Sequence, residues 1–157
     1  MSKREDDILA REISKFGALG GGLGSGVGGA LGGAMGAGLV AKHLPNNALQ
    51  LTLEIAAPAR DVLETAFNIL REQGKITEDA EAPSELPTIT ALVGAGFFNL
   101  NPTLVSVQVA PISATLTKVS IHGTAKEGLI KQHAGEKATK RIADLLNKTF
   151  SEPQNKT

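Results

Sequence analysis

The 157 residues allow one domain of ordinary size, about 100 to 150 residues, with an appendage. Sixteen basic and 16 acidic side chains leave no net field to draw in nucleic acid, and five Phe with no Trp or Tyr leave few platforms for stacking bases or sugars. The absence of cysteine excludes disulfides, thiolate metal sites, thiol nucleophiles and lipidation of an N-terminal cysteine.

Residues 1–16 read as a charged leader helix. Ser2 with Glu5 three residues on is a capping-box pattern, Leu9, Ile13 and Phe16 recur at helical spacing, and Asp7 and Arg11 lie one turn apart. Acidic residues match basic ones here and no cleavage region follows, so the leader reads as retained rather than as a secretory signal.

Residues 17–41 hold 12 of the 18 glycines. Gly20, Gly24, Gly28, Gly32 and Gly36 form an unbroken ladder at spacing four, flanked by a ladder of larger residues, Leu19, Leu23, Val27, Leu31, Met35 and Leu39. On a helix such ladders wind in a right-handed sense and suit crossings in which glycines let two backbones approach. From Phe16 to Ala41 there is no charge over 26 residues, enough at about 1.5 Å per residue to span a bilayer core of about 30 Å.

The energetics restrict where such a helix could exist. Twelve interior glycines cost roughly 12 kcal/mol against alanine in water, which excludes an isolated aqueous helix. In lipid, Phe16, four leucines and two valines contribute only about −2 to −4 kcal/mol, so close packing against a copy of itself or a fold-back hairpin has to supply the rest. Two other readings compete: a silk-like strand, since every even position from Ala18 to Gly38 is Gly or Ala, and a flexible tether.

The ladder resembles the glycine-zipper segments of bacterial envelope and channel-forming proteins. That resemblance covers residues 17–41 and implies helix packing through Gly20, Gly24, Gly28, Gly32 and Gly36 in a membrane-associated homo-oligomer. Lys3, Arg4, Arg11 and Lys15 precede the apolar stretch and Lys42 alone follows closely, so the positive-inside rule holds the leader in the cytoplasm. A single crossing then puts the rest of the chain on the far side; without a crossing the protein is cytoplasmic.

Residues 42–47 read as a linker, 48–150 as an α+β domain and 151–157 as a tail. Leu49, Leu51, Leu53 and Ile55 alternate with polar residues, which is a strand with one face in the core. Pro58 opens a helix whose buried face is Val62, Leu63, Ala66, Phe67 and Leu70, and Gly74 closes it. An acidic, proline-bearing loop leads to strands at about 88–93, 104–110 and 115–121. Ile130, Ala134, Ala138, Ile142, Leu145 and Leu146 describe a long final helix. The order β-α-β-β-β-α predicts an antiparallel sheet with two helices on one face, a pattern similar to several small bacterial envelope domains.

No residue set carries recognisable catalysis, and an enzyme is not expected. Gly24, Gly26 and Gly29 satisfy GxGxxG without a preceding strand, and Gly94 and Gly96 lack the Lys and Ser/Thr of a phosphate loop. His43, His122 and His133 have no metal-ligand spacing, so neither metal nor cofactor is expected. His122 with a carboxylate such as Glu54 is the remaining acid–base candidate. Lys131, Lys137, Lys140 and Arg141 give the last helix a basic bias, which reads as a solvated face because acids are distributed among the lysines, with contact to anionic lipid headgroups as the competing reading. The expected partners are the chain itself and membrane lipid, with no nucleic acid. The competing class is a soluble small-ligand or lipid-binding α+β domain with a flexible Gly-rich arm.

Overall fold

The computed structural model describes residues 3–15, 44–77, 86–95, 101–127 and 132–151. The zipper positions Gly20, Gly24, Gly28, Gly32 and Gly36 lie outside the described residues, as does Lys131.

Helix α1 covers residues 3–15. It is followed by β1 (Asn46–Ile55), α2 (Ala59–Gln73), β2 (Gly74–Ile76), β3 (Thr88–Ala95), β4 (Asn101–Pro111), β5 (Thr117–Lys126) and α3 (Ala134–Ser151). The strands form one antiparallel sheet in the order β1-β5-β4-β3-β2. The chain is therefore α+β, with α2 and α3 on one face as the pattern predicts.

The alternation in the strands sets that face. Ile55, Ala91, Val93, Val105, Val107, Val109, Val119, Ile121 and Ala125 point to it, and they are buried against Val62, Ala66 and Leu70 of α2 and Ala138, Ile142 and Leu146 of α3. Gly123 interrupts the β5 series because α3 crosses there: a Cβ would sit 2.1 Å from Thr139 Oγ1 and 2.8 Å from the Gly135 carbonyl. Two neighbouring segments cap the start of α3, where helical N–H groups have no internal partner. Asn47 Oδ1 accepts from Glu136 N at 2.9 Å, and Glu127 Oε1 accepts from Ala134 N at 3.2 Å.

Three details differ from the sequence reading. β1 begins at Asn46, so the end of the expected linker belongs to the sheet, where Pro45 O accepts from Glu127 N. Gly74 ends α2 and at once starts β2, a strand with too few residues to show alternation; a Cβ at Gly74 would lie 2.2 Å from Leu92 O, so glycine is needed for the β2–β3 approach. β5 continues to Lys126, well past Ile121, because its second half pairs with both β1 and β4.

The largest difference is α1. It does not stand apart as a leader but seats Ile8 and Leu9 on Leu92 and Leu104, on the face of the sheet opposite α2 and α3. Asp6 forms an ion pair with Lys126, and Glu5 lies 3.6 Å from His122. Helices thus cover both faces. Residues 3–15 and the sheet share one apolar cluster, which gives no support to a leader held apart from the domain. Among the described residues no helix is long and apolar enough to cross a membrane.

Candidate functional site

The basic residues of α3 come together as the helical spacing requires. Positions 137, 140, 141, 144 and 148 recur at three and four residues and fall on one side of the helix. Lys137, Lys140, Arg141, Asp144, Leu145 and Lys148 line a shallow open groove of about 390 Å³. Four cations face one carboxylate, and half-buried Leu145 supplies an apolar floor.

Arg141 gives this groove a fixed point. Its Nη2 donates to the Gly94 carbonyl of β3 at 2.8 Å, which holds the guanidinium between helix and sheet. Its Nε is buried and has no hydrogen-bond partner among the described residues. Lys140 donates to Glu136 Oε1 at 2.7 Å, and Lys140 is the main reason that the Glu136 carboxyl is held below its ordinary value. On α2, Arg71 stands 5.7 Å over the ring of Phe67, which is 40% exposed.

The acid–base candidate is not assembled. Glu54 faces Lys118 across the β1–β5 ladder while His122 faces Gln50, four residues away along the strand. The carboxylate that does approach His122 is Glu5 of α1, at a distance beyond hydrogen bonding. His133 lies near Glu136 at the surface, and His43 is outside the described residues. Among the described residues no group of three or more His, Asp or Glu is placed to hold a metal ion.

Sequence reasoning missed Asp6, Lys126 and Glu127. Lys126 is 3% exposed and Glu127 5%, yet in the sequence both look like ordinary charges in the connection that follows the last strand. Their burial comes from α1 above Lys126 and from the start of α3 against Glu127.

No protein-family description and no curated protein matches the chain. Among solved structures, it is similar to a START superfamily protein from Mycobacterium smegmatis at 10% identity, with 66% of this chain and 97% of that one covered and a TM-score of 0.46. It is also similar to a protein from Chromobacterium violaceum at 12% identity, covering 68% and 99%, with a TM-score of 0.39. Norcoclaurine synthase from Thalictrum flavum matches at 13% identity, covering 69% and 96%, with a TM-score of 0.34.

Proposed function

We propose that this chain is a non-enzymatic lipid-binding α+β domain that docks the α3 groove on anionic headgroups and carries its Gly-rich segment as an arm. The observation that carries the reading is the groove itself: Lys137, Lys140, Arg141 and Lys148 beside half-buried Leu145. Phosphate and carboxylate oxygens of headgroups are acceptors of the kind that a guanidinium and flexible lysines take.

The seating of α1 supports an arm over a membrane span. Residues 16–43 start from α1 and end before β1, and both belong to the same folded body. A spanning segment with both ends on one side has to cross twice. Fourteen residues per crossing reach only about 21 Å as helix, short of a core of about 30 Å. Helix packing through Gly20, Gly24, Gly28, Gly32 and Gly36 is retained in this proposal only as a contact within or between arms that enter the membrane part-way or not at all.

Co-sedimentation with vesicles tests the reading. The full chain is expected to bind vesicles containing phosphatidylserine, to leave neutral phosphatidylcholine vesicles unbound, and to lose binding in high salt. At about 1 kcal/mol per lysine near an anionic surface, Lys137→Glu, Lys140→Glu and Lys148→Glu together are expected to reduce partitioning by at least about a hundredfold. Binding that is equal on both vesicle types, or indifferent to the triple variant, would overturn the proposal.

A further inference from the structure

β1 is one edge of the sheet. The Glu127 N–H donates to Pro45 O at 2.9 Å, and this pair extends the register in which Asn46 faces Lys126. Hydrogen-bonded residues of an antiparallel pair recur at every second position. Asn47, Leu49, Leu51, Leu53 and Ile55 therefore turn both backbone groups towards β5. Asn46, Ala48, Gln50, Thr52 and Glu54 turn theirs outward, and among the described residues no strand takes those bonds.

Sheets usually blunt such an edge with a short strand, a proline, a bulge or a lysine. The opposite edge follows the rule, since β2 has three residues. β1 does not. It runs for ten residues, NNALQLTLEI, with no proline, glycine or lysine and no break in register. Its apolar stripe is also unfinished: Leu49, Leu51 and Leu53 are half-buried, whereas Val119 and Ile121 beside them on β5 are fully buried.

We propose that β1 pairs antiparallel with β1 of a second copy of this chain, about a two-fold axis at Gln50, so that one sheet runs through both. This is the one register that pairs all five outward residues. Gln50 then faces its own copy, Ala48 faces Thr52, and Asn46 faces Glu54. The single charge on the strand thus meets an amide instead of a second carboxylate. On the apolar side Leu49 faces Leu51, which makes the leucine stripe continuous across the axis. α3 reaches β1 at Asn47 and Leu49, to one side of the axis, so the second α3 comes to lie beside Leu51 and Leu53. The interface is isologous and uses backbone hydrogen bonds for affinity, with side-chain register setting specificity. It is independent of the lipid reading above.

The natural chain has no cysteine, so single substitutions report the register without interference. Gln50→Cys places two thiols on facing positions whose Cα atoms are about 5.5 Å apart, within disulfide range. Ala48→Cys leaves each thiol four positions out of register with its copy. Under mild oxidation of the full chain, Gln50→Cys is expected to crosslink at least about tenfold faster than Ala48→Cys. In analytical ultracentrifugation the natural chain is expected to sediment as a dimer and Thr52→Pro as a monomer with unchanged circular dichroism. Removing an outward N–H spares the β1–β5 ladder. A natural chain that is monomeric at every concentration, or equal crosslinking of the two cysteine variants, overturns the proposal. A dimer that survives in a folded Thr52→Pro variant does so as well, and moves self-association to another segment. Should Thr52→Pro fail to fold, the cysteine pair decides.

Discussion

Beneath α2 and α3 the sheet presents Val105, Val107, Val109, Val119 and Ile121, all 2% exposed or less, against Val62, Leu70, Ile142 and Leu146. Beneath α1 it presents Leu92 and Leu104, among polar residues that include a Thr90–Ser106 hydrogen bond, His122 and Lys126. At about 1.5 to 3 kcal/mol per fully buried large aliphatic side chain, Ile8 and Leu9 contribute at most roughly 3 to 6 kcal/mol to the outer contact. Ordering the 13 residues of α1 opposes that gain. The inner face thus holds the fold, while the outer face holds an attached helix whose position is fixed by charge. Docking α1 buries Lys126 and at the same time sets Asp6 beside it, so the carboxylate offsets the desolvation that docking itself imposes.

The sharpest way to break this comparison is to remove volume from each face in turn. Ile142→Ala leaves a cavity under the middle of α3 and is expected to cost about 2 to 5 kcal/mol, measured as a lower denaturant midpoint for the whole domain. Leu9→Ala is expected to cost about 2 to 3 kcal/mol and to act locally. Amide exchange across residues 3–15 should accelerate by roughly 30- to 150-fold while amides of β4 and β5 keep their protection. If Leu9→Ala lowers the global midpoint as much as Ile142→Ala does, the two faces form one cooperative unit and the distinction fails.

The smallest expected effect lies on the surface of α3. The Glu136 carboxyl is held below its ordinary value of 4.5, first by a hydrogen bond and then by the charge of Lys140. A folded-state pKa that is lowered contributes stability present above the unfolded value and lost as pH falls through the folded one. The pair therefore favours the folded state at neutral pH and ceases to do so in acid, below 4.5. Carboxyl NMR titration should place the Glu136 midpoint below 4.5, and Lys140→Met should move it back up. A midpoint unchanged by that substitution would leave the cause elsewhere.

Much of the inner face was legible along the chain, because a strand or helix with one buried side imprints its own period. Leu49 to Ile55 alternate and were recognisable as β1; Val105, Val107 and Val109 did the same for β4. Val62, Ala66 and Leu70, and then Ala138, Ile142 and Leu146, carry the helical spacing. The basic bias of α3 was legible for the same reason, since Lys137, Lys140 and Arg141 are neighbours on one helix before any tertiary contact forms. β2 was not, because three residues cannot display a period.

By itself, then, the sequence determined the fold class, the two helices that cover the apolar face and the charge of α3, all of which follow from local periodicity. Only the tertiary structure decided where α1 goes. Its two buried anchors, Ile8 and Leu9, meet Leu92 and Leu104, which lie more than 80 residues away and look like outward positions of ordinary strands. The same holds for the charges that fix it: Asp6 and Lys126 carry no mark of each other in the chain, and burial arises only once the helix lies across β5. The open edge of β1 was equally hidden, because a strand's own alternation sets which side chains face the core. Which of its backbone groups remain unpaired depends on the order of strands in the sheet.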